Sequence, residues 1–306
     1  MERSLDGAPG IGGSDVAAIL GLHPYKSPVD VYLEKTGAAG DDEDNEPAHW
    51  GRRLEGVIAE EWAARSGYRV RRVNRTLRHR EAQLLMAHID RKVEREPALL
   101  ECKTASTWLA DSWGPSGTDQ VPEYYLTQVL HYLEVTGYQW AAVGVLLGGQ
   151  EFRRYEIPAD RGLQQRIVDE CLRWWRQHVE AGEPPPPRDP REASKLWPRH
   201  RPEAEVSADE DTQRVVAELR DVQAQRKELE RRESQLKADV QARMGDAEKL
   251  IGLDGRPLAT WKAPAPSRQV DVKALREAEP EVAERYMVER PGARKFQLEK
   301  GANDVG

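Results

Sequence analysis

The sequence predicts an α/β (α+β) domain followed by a separate, largely helical appendage. Three observations carry that prediction. Short apolar, strand-like runs alternate with segments of helical spacing as far as Val179. The run Gly182-Glu183-Pro184-Pro185-Pro186-Pro187 then stops the pattern. Beyond it, Asp209 to Met244 contains neither Gly nor Pro and is rich in Glu, Arg, Gln and Ala. The chain accordingly divides into a domain at 1–182, a Pro-rich polar linker at 183–208, and an accessory region at 209–306.

In chain order, Gly12-Gly13-Ser14-Asp15-Val16-Ala17-Ala18-Ile19-Leu20-Gly21 reads as a capped helix start. Ser14 or Asp15 can accept from the first free backbone N–H groups, and Gly21 stops the apolar stretch. Pro28 to Lys35 reads as a second short helix, and an acidic loop from Asp41 to Glu46 leads into a third. On that third helix Leu54, Val57, Ile58 and Trp62 form an apolar stripe, with Glu55 off it. Strand-like pieces follow at Tyr68–Val70, Thr76–Leu77, Leu84–Met86 running into Ile89–Asp90, and Ala98–Lys103. Leu126 to Val135 is helical, Trp140 to Leu147 and Phe152 to Ile157 form a hairpin around Gly148-Gly149, and Ile167 to Val179 is helical again.

The accessory region opens with one long helix over 209–244. Val215, Leu219, Val222, Leu229, Leu236 and Val240 fall near heptad positions, but Arg226 and Glu233 occupy matching sites, so the coiled-coil seam is imperfect. An Asp254-Gly255 turn signals a hairpin, Val272 to Met287 a last helix, and Lys295 to Leu298 one more strand.

Composition sets bounds on function. Nine Trp and a 39% hydrophobic share support a buried core, while 32% charged residues and a mean hydropathy of -0.76 point to a solvated helix or polar tail. Two cysteines are too few for a disulfide framework, a cysteine metal cage or an iron–sulfur nuclease, which needs four. With no apolar run near the roughly 20 residues of a membrane span and no signal-peptide pattern, a soluble protein of a reducing cytoplasm is expected. The net charge of -7 does not by itself exclude nucleic acid, because Arg71, Arg72, Arg75, Arg78, His79 and Arg80 concentrate positive charge locally. On composition alone that stretch reads equally well as a solvated basic face.

Candidate chemistry centres on Asp90, Glu101 and Lys103. Residues i and i+2 of a strand share a face, so Glu101 and Lys103 point the same way. Carboxylates that hold a hard cation, with a lysine beside the attacking water, are what phosphodiester hydrolysis requires. Asp90, the Glu101 carboxylate and the Cys102 backbone carbonyl would give three oxygens. The plain alternative is an edge-strand salt bridge between Glu101 and Lys103. Glu55 before this strand and Gln128 with Tyr132 after it, at i and i+4 of one helix, extend the pattern, although each also reads as an ordinary surface or amphipathic polar residue.

The order of these pieces resembles the PD-(D/E)XK nuclease superfamily, and within it the YqaJ-type viral recombinases related to phage lambda exonuclease. Gly10-Ile11-Gly12-Gly13-Ser14-Asp15 through Gly21 with Pro24-Tyr25-Lys26-Ser27-Pro28 is similar to that family's opening. Trp50-Gly51-Arg52-Arg53-Leu54-Glu55 resembles its glutamate helix, Asp90 with Glu101-Cys102-Lys103 its signature, and Gln128-x-x-x-Tyr132 its Gln-x-x-x-Tyr helix. The resemblance covers roughly residues 8 to 180, with weaker likeness in the tail.

The resemblance implies a restriction-endonuclease-like core, a central mixed sheet flanked by helices. It implies that Glu55, Asp90, Glu101 and the Cys102 carbonyl hold one or two Mg²⁺ or Mn²⁺ ions, that Lys103 assists the nucleophilic water, and that Gln128 positions the lysine or the scissile strand. Ser14, Arg52, Arg53 and Tyr132 become candidate DNA contacts. The implied activity is 5′-to-3′ digestion of one strand at double-stranded DNA ends, leaving 3′ single strands for an annealing protein, within a ring-like homo-oligomer of a phage- or prophage-encoded system. Endonuclease activity, or a catalytically inactive DNA-binding scaffold, are the alternatives. Two departures stand out: no arginine occurs between Leu5 and Pro9, the nearest being Arg3, and Arg91 follows Asp90 where relatives commonly carry Gly.

Overall fold

The computed structural model describes residues 9–39, 46–289 and 292–299, so Arg3 and most of the acidic loop at 41–45 lie outside the described residues. The chain forms two compact units, one ending at Trp197 and the other beginning at Pro198.

The first unit opens with helices α1 (Gly13–Ile19), α2 (Pro28–Lys35) and α3 (Glu46–Ser66). The cap of α1 differs from the sequence reading. Gly12 is the N-cap, and the Asp15 carboxylate reaches back to accept its N–H at 3.0 Å, while Ser14 is exposed. Helix α2 starts on a reciprocal cap, in which Ser27 Oγ accepts from Asp30 N–H and Asp30 Oδ2 accepts from Ser27 N–H, with Pro28 at the first turn.

Strands β1 (Val70–Arg72), β2 (Leu77–Arg78), β3 (Met86–Ala87), β4 (Arg91–Val93) and β5 (Ala98–Ala105) follow. Next come α4 (Glu123–Thr136), β6 (Trp140–Leu147), β7 (Glu151–Pro158) and α5 (Arg161–Trp174), which runs on as a π-helical turn at Trp175–Glu180. Five strands form one sheet in the order β1-β4-β5-β6-β7, with β5–β6 parallel and the other pairs antiparallel. The expected central mixed sheet flanked by helices is therefore present. The parallel pair requires a crossover, which α4 supplies, ending on Gly137 in the left-handed region (φ 70°).

Strand β5 lies in the middle of this sheet, not at an edge. Leu99 joins the core beneath α1 and α4, whereas Ala98 and Leu100 face Ala59 and Trp62 of α3. Alternation then places Glu101 and Lys103 on the α4 side and Cys102 on the α3 side. Each fully buried Leu of this kind contributes about 1.5–3 kcal/mol.

Asp90 does not end a strand. The β2–β3 pair is its own small sheet, and Asp90 occupies the bend immediately before β4. The segment read as linker from 183 also contains structure. Helix α6 (Pro190–Leu196), capped by Asp189, packs against α2, where Lys195 Nζ meets Asp30, and Glu192 is buried against Arg188.

In the second unit α7 (Glu210–Met244) begins on an Asp209 cap and extends about 53 Å at 1.5 Å per residue. Val215, Val222, Leu229 and Leu236 are all at least half exposed, so its seam is solvated. Arg226 and Glu233 pair within the helix, with Glu230 and Lys237. The expected hairpin is β8 (Lys249–Ile251) with β9 (Pro257–Thr260). Pro280 divides the last expected helix into α8 (Val272–Ala278) and α9 (Pro280–Arg285), and Lys295 to Leu298 forms no strand. No helix among the described residues is long and apolar enough to cross a membrane.

Candidate functional site

The site forms where β5 leaves the core. Burial is complete through Glu101 and partial from Cys102 onward, so the strand carries its chemistry to the water boundary. Glu101 Oε1 accepts from Lys103 Nζ at 2.7 Å and from Gln128 Nε2 at 2.8 Å. Lys103 Nζ also donates to Gln128 Oε1 at 3.0 Å, which closes a three-membered network. Gln128 therefore uses both ends of its amide to hold the Glu–Lys pair. Its Nε2 donates as well to the Tyr132 hydroxyl at 3.1 Å.

That last bond relocates Tyr132. The ring, expected among the DNA contacts, is only 5% exposed and supports Gln128 from within the core. Gly13 makes the arrangement possible. A Cβ at this position would lie 2.4 Å from Tyr132 Cε1 and 2.9 Å from Gln128 Cγ, so only glycine lets α1 approach α4 this closely.

Asp90 approaches from the bend before β4, and its Oδ2 accepts the Cys102 N–H at 2.7 Å. Burial, reinforced by the Glu101 carboxylate, pushes its pKa up to about 8 despite that bond and the nearby Lys103 charge. Glu101 Oε2 is buried with no hydrogen-bond partner. A raised aspartic acid beside a carboxylate with one orphaned oxygen is a pair whose negative charge the single lysine on Glu101 Oε1 leaves incompletely offset.

Glu55 comes from α3 across the cleft and is bound to Arg91, whose Nη1 also donates to the Asp90 carbonyl at 2.8 Å. Arg91 thus fills the space that a glycine would leave open and holds the expected third carboxylate on itself. Among the described residues, no three acidic, His or Cys side chains converge to form a ready-made cation cage. Asp90 and Glu101 still fit a hard cation, since Mg²⁺ is commonly held by one or two carboxylates and keeps several waters.

Glu55 and Asp90 line a common cleft of about 320 Å³ with Arg72, Arg75 and His88. The basic stretch is thereby divided. Arg72 and Arg75 face the cleft, whereas Arg78 donates to the Gln83 carbonyl and His79 lies 3.5 Å from Glu134. Arg52 and Arg53 are exposed on α3, and Ser14 is exposed on the first turn of α1. Asp15, read as a possible cap, is buried and also receives Lys26 at 3.0 Å and Lys35 at 2.6 Å. These cations hold its carboxyl below the ordinary range against the opposing pull of burial.

Sequence reasoning missed two partners. Arg91 stood out only as a replacement, and its distance of 36 positions from Glu55 gave no sign of the pairing. Tyr125 was not singled out at all, yet Lys103 Nζ sits 4.9 Å from its ring centroid. The three tyrosines Tyr124, Tyr125 and Tyr132 on one helix were the available signal.

Residues 7–139 match the family described as the YqaJ-like viral recombinase domain. The uncharacterized protein YqaJ of Bacillus subtilis (strain 168) is 34% identical over 295 residues, covering 94% of this chain and 91% of that protein. Among solved structures, an alkaline exonuclease from Laribacter hongkongensis is similar at 20% identity and TM-score 0.47, over 61% of this chain and 95% of its own. A phage-related exonuclease from Haemophilus somnus 129PT is similar at 14% identity and TM-score 0.44, over 56% of this chain and 96% of its own. The near full-length kinship with the Bacillus protein settles the classification: the chain belongs to the YqaJ-like viral recombinase family.

Proposed function

We propose that this protein is a divalent-cation-dependent DNA nuclease that digests double-stranded ends 5′-to-3′ and leaves 3′ single strands for recombination. The observation that carries the reading is the buried, unpartnered Glu101 Oε2 beside an Asp90 pushed up to about 8, with Lys103 fixed on the same face by Gln128. Asp90, Glu101 and the Cys102 carbonyl would hold Mg²⁺ or Mn²⁺, one ion or two, and Glu55 would join them only on leaving Arg91. The cation would supply positive charge at the scissile phosphate and lower the pKa of the attacking water.

The chain's own residues do the rest. Lys103 orients the attacking water and offsets charge developing on the phosphate. Gln128 sets the lysine's position, and Tyr132 sets Gln128's. Arg72 and Arg75 in the cleft, with Ser14, Arg52 and Arg53 outside it, supply phosphate contacts. The solvated seam of α7 is the surface we assign to self-association, ring-like by family resemblance, or to a single-strand annealing protein.

The test is digestion of linear duplex DNA with Mg²⁺ or EDTA by wild type and Lys103→Ala. Substrates with labelled 5′-phosphate, 5′-hydroxyl and closed-circular forms separate the end preferences. Mg²⁺-dependent loss of linear DNA supports the reading, and cutting of closed circles replaces it with endonuclease activity. Binding without cleavage under any divalent metal leaves a DNA-binding scaffold.

A further inference from the structure

Four rings run in series from open solvent to the site lysine. Tyr25 is 79% exposed and meets His23 at 6.2 Å between centroids, edge-on at 74°. His23 meets Tyr124 at 5.6 Å, and Tyr124 meets Tyr125 at 4.1 Å. Tyr125 then lies beneath Lys103 Nζ. We propose that Tyr25, His23 and Tyr124 form a stacking platform for unpaired nucleobases of the DNA strand entering the Lys103 site. The proposal rests on the nuclease reading above, because the ligand it names is that reading's substrate.

The turn that carries the outer rings is held by hydrogen bonds without being buried. His23 Nδ1 accepts from the backbone N–H of Tyr25 at 3.1 Å and of Lys26 at 2.8 Å, which fixes the ring and the turn together. With Nδ1 committed as acceptor, the proton resides on Nε2 and the imidazole is neutral. Lys26 is tied to Asp15 and Glu34, and Ser27 caps α2, so the turn is anchored on both sides. Core packing does not explain Tyr25, since most of its surface meets water. An aromatic ring on a pre-ordered turn loses little freedom when a flat partner covers it. Every base has a π-face, so stacking of this kind is tolerant of sequence, as an enzyme consuming arbitrary DNA requires. A neutral platform also suits a chain whose net charge is -7.

The experiment measures equilibrium binding in EDTA, with a fluorescent adenine analogue at the terminal positions. One duplex has several unpaired terminal nucleotides, and the other is fully paired and closed at both ends by a non-nucleotide linker. Wild type is compared with Tyr25→Ala and Tyr25→Trp. Tyr25→Ala is expected to weaken binding of the open-ended duplex by about five- to a hundredfold, the usual value of one stacked base. The closed duplex should change by less than about twofold, and Tyr25→Trp should restore both affinity and the fluorescence change. Equal affinities for all three proteins on both duplexes overturn the proposal, as does an equal loss on both, which marks a general backbone contact. Cleavage by the same wild-type preparation in Mg²⁺ separates the two readings. Discrimination without cleavage defeats only the nuclease reading, and cleavage without discrimination defeats only the platform.

Discussion

Glu101 and Lys103 are joined at 2.7 Å on one face of β5, two residues apart on the middle strand of the sheet. The contact has the form of an ordinary ion pair, but its setting differs. Gln128 contacts both partners, and the second carboxylate oxygen of Glu101 is left without any. Substituting Lys103 by Met keeps the bulk of the side chain and removes its charge. Cleavage should fall by about a hundred- to a thousandfold while the thermal transition stays cooperative. A Lys103→Met protein that digests duplex DNA at the wild-type rate would exclude the lysine from the chemistry.

Cation binding should be visible without any DNA. Filling the Asp90–Glu101 pair relieves a crowded, partly orphaned arrangement that exists only in the folded state. Millimolar Mg²⁺ or Mn²⁺ should therefore raise the melting temperature, with about 2.7 kcal/mol gained at a hundred times the dissociation constant. Glu101→Gln removes one negative charge and should abolish most of that shift. Identical cation-induced shifts in wild type and Glu101→Gln would place the ion elsewhere.

Arg91 compensates Glu55 in a partly buried setting, with side chains 12% and 20% exposed. Arg91→Ala leaves Glu55 facing Asp90 across the cleft without its cation. The expected cost is roughly 1–3 kcal/mol in urea unfolding, with a larger Mn²⁺-induced gain in melting temperature than wild type shows. A variant as stable as wild type, with the same Mn²⁺ response, would mean that the pair contributes nothing.

These three tests draw on information of different visibility in the sequence. The spacing of Glu101 and Lys103 was legible because a strand period of two needs no tertiary knowledge. Gln128 and Tyr132 were legible as one helical face, but the direction in which that face turned was not, and Tyr132 proved to be interior support. Glu55 was recognisable on its helix, whereas its bond to Arg91 depends on how α3 crosses the strands. Helix α6 was hidden for a related reason. The proline run before it reads as an ending, and only packing against α2 shows that the chain returns to the domain.

His131 predicts an acid-sensitive fold. It is fully buried, its Nε2 bonds the Met86 carbonyl at 2.9 Å, and burial lowers its pKa to about 4. The unfolded chain takes up the proton near 6.5, so between these values the unfolded state binds more protons and stability rises with pH. The contribution is complete above 6.5 and is lost as pH falls towards 4, amounting to roughly 3 kcal/mol. His131→Gln, whose amide can still reach Met86, should flatten the unfolding free energy across that window. An unchanged pH profile in the variant would assign the acid sensitivity to other groups.

Gly13→Ala sets two effects of opposite sign against each other. Alanine favours a helix by up to about 1 kcal/mol over glycine, yet its Cβ would sit 2.4 Å from the Tyr132 ring. Overpacking of this kind costs about 1–3 kcal/mol, and the displaced ring carries Gln128 with it. Lower melting temperature together with slower cleavage is expected, and a stabilised, fully active Gly13→Ala protein would refute the contact.

The middle position of β5 constrains how this family can diverge. An edge strand can shorten, bulge or peel away and leave a domain standing. Here Leu99 and Leu100 hold the two opposite faces of the sheet together, and Glu101 follows them directly. A descendant that abandoned cleavage could discard the carboxylate and the lysine but not the strand that carries them. Loss of activity would leave a fossil: two buried leucines at the sheet's centre, followed by a paired strand without its carboxylate and lysine.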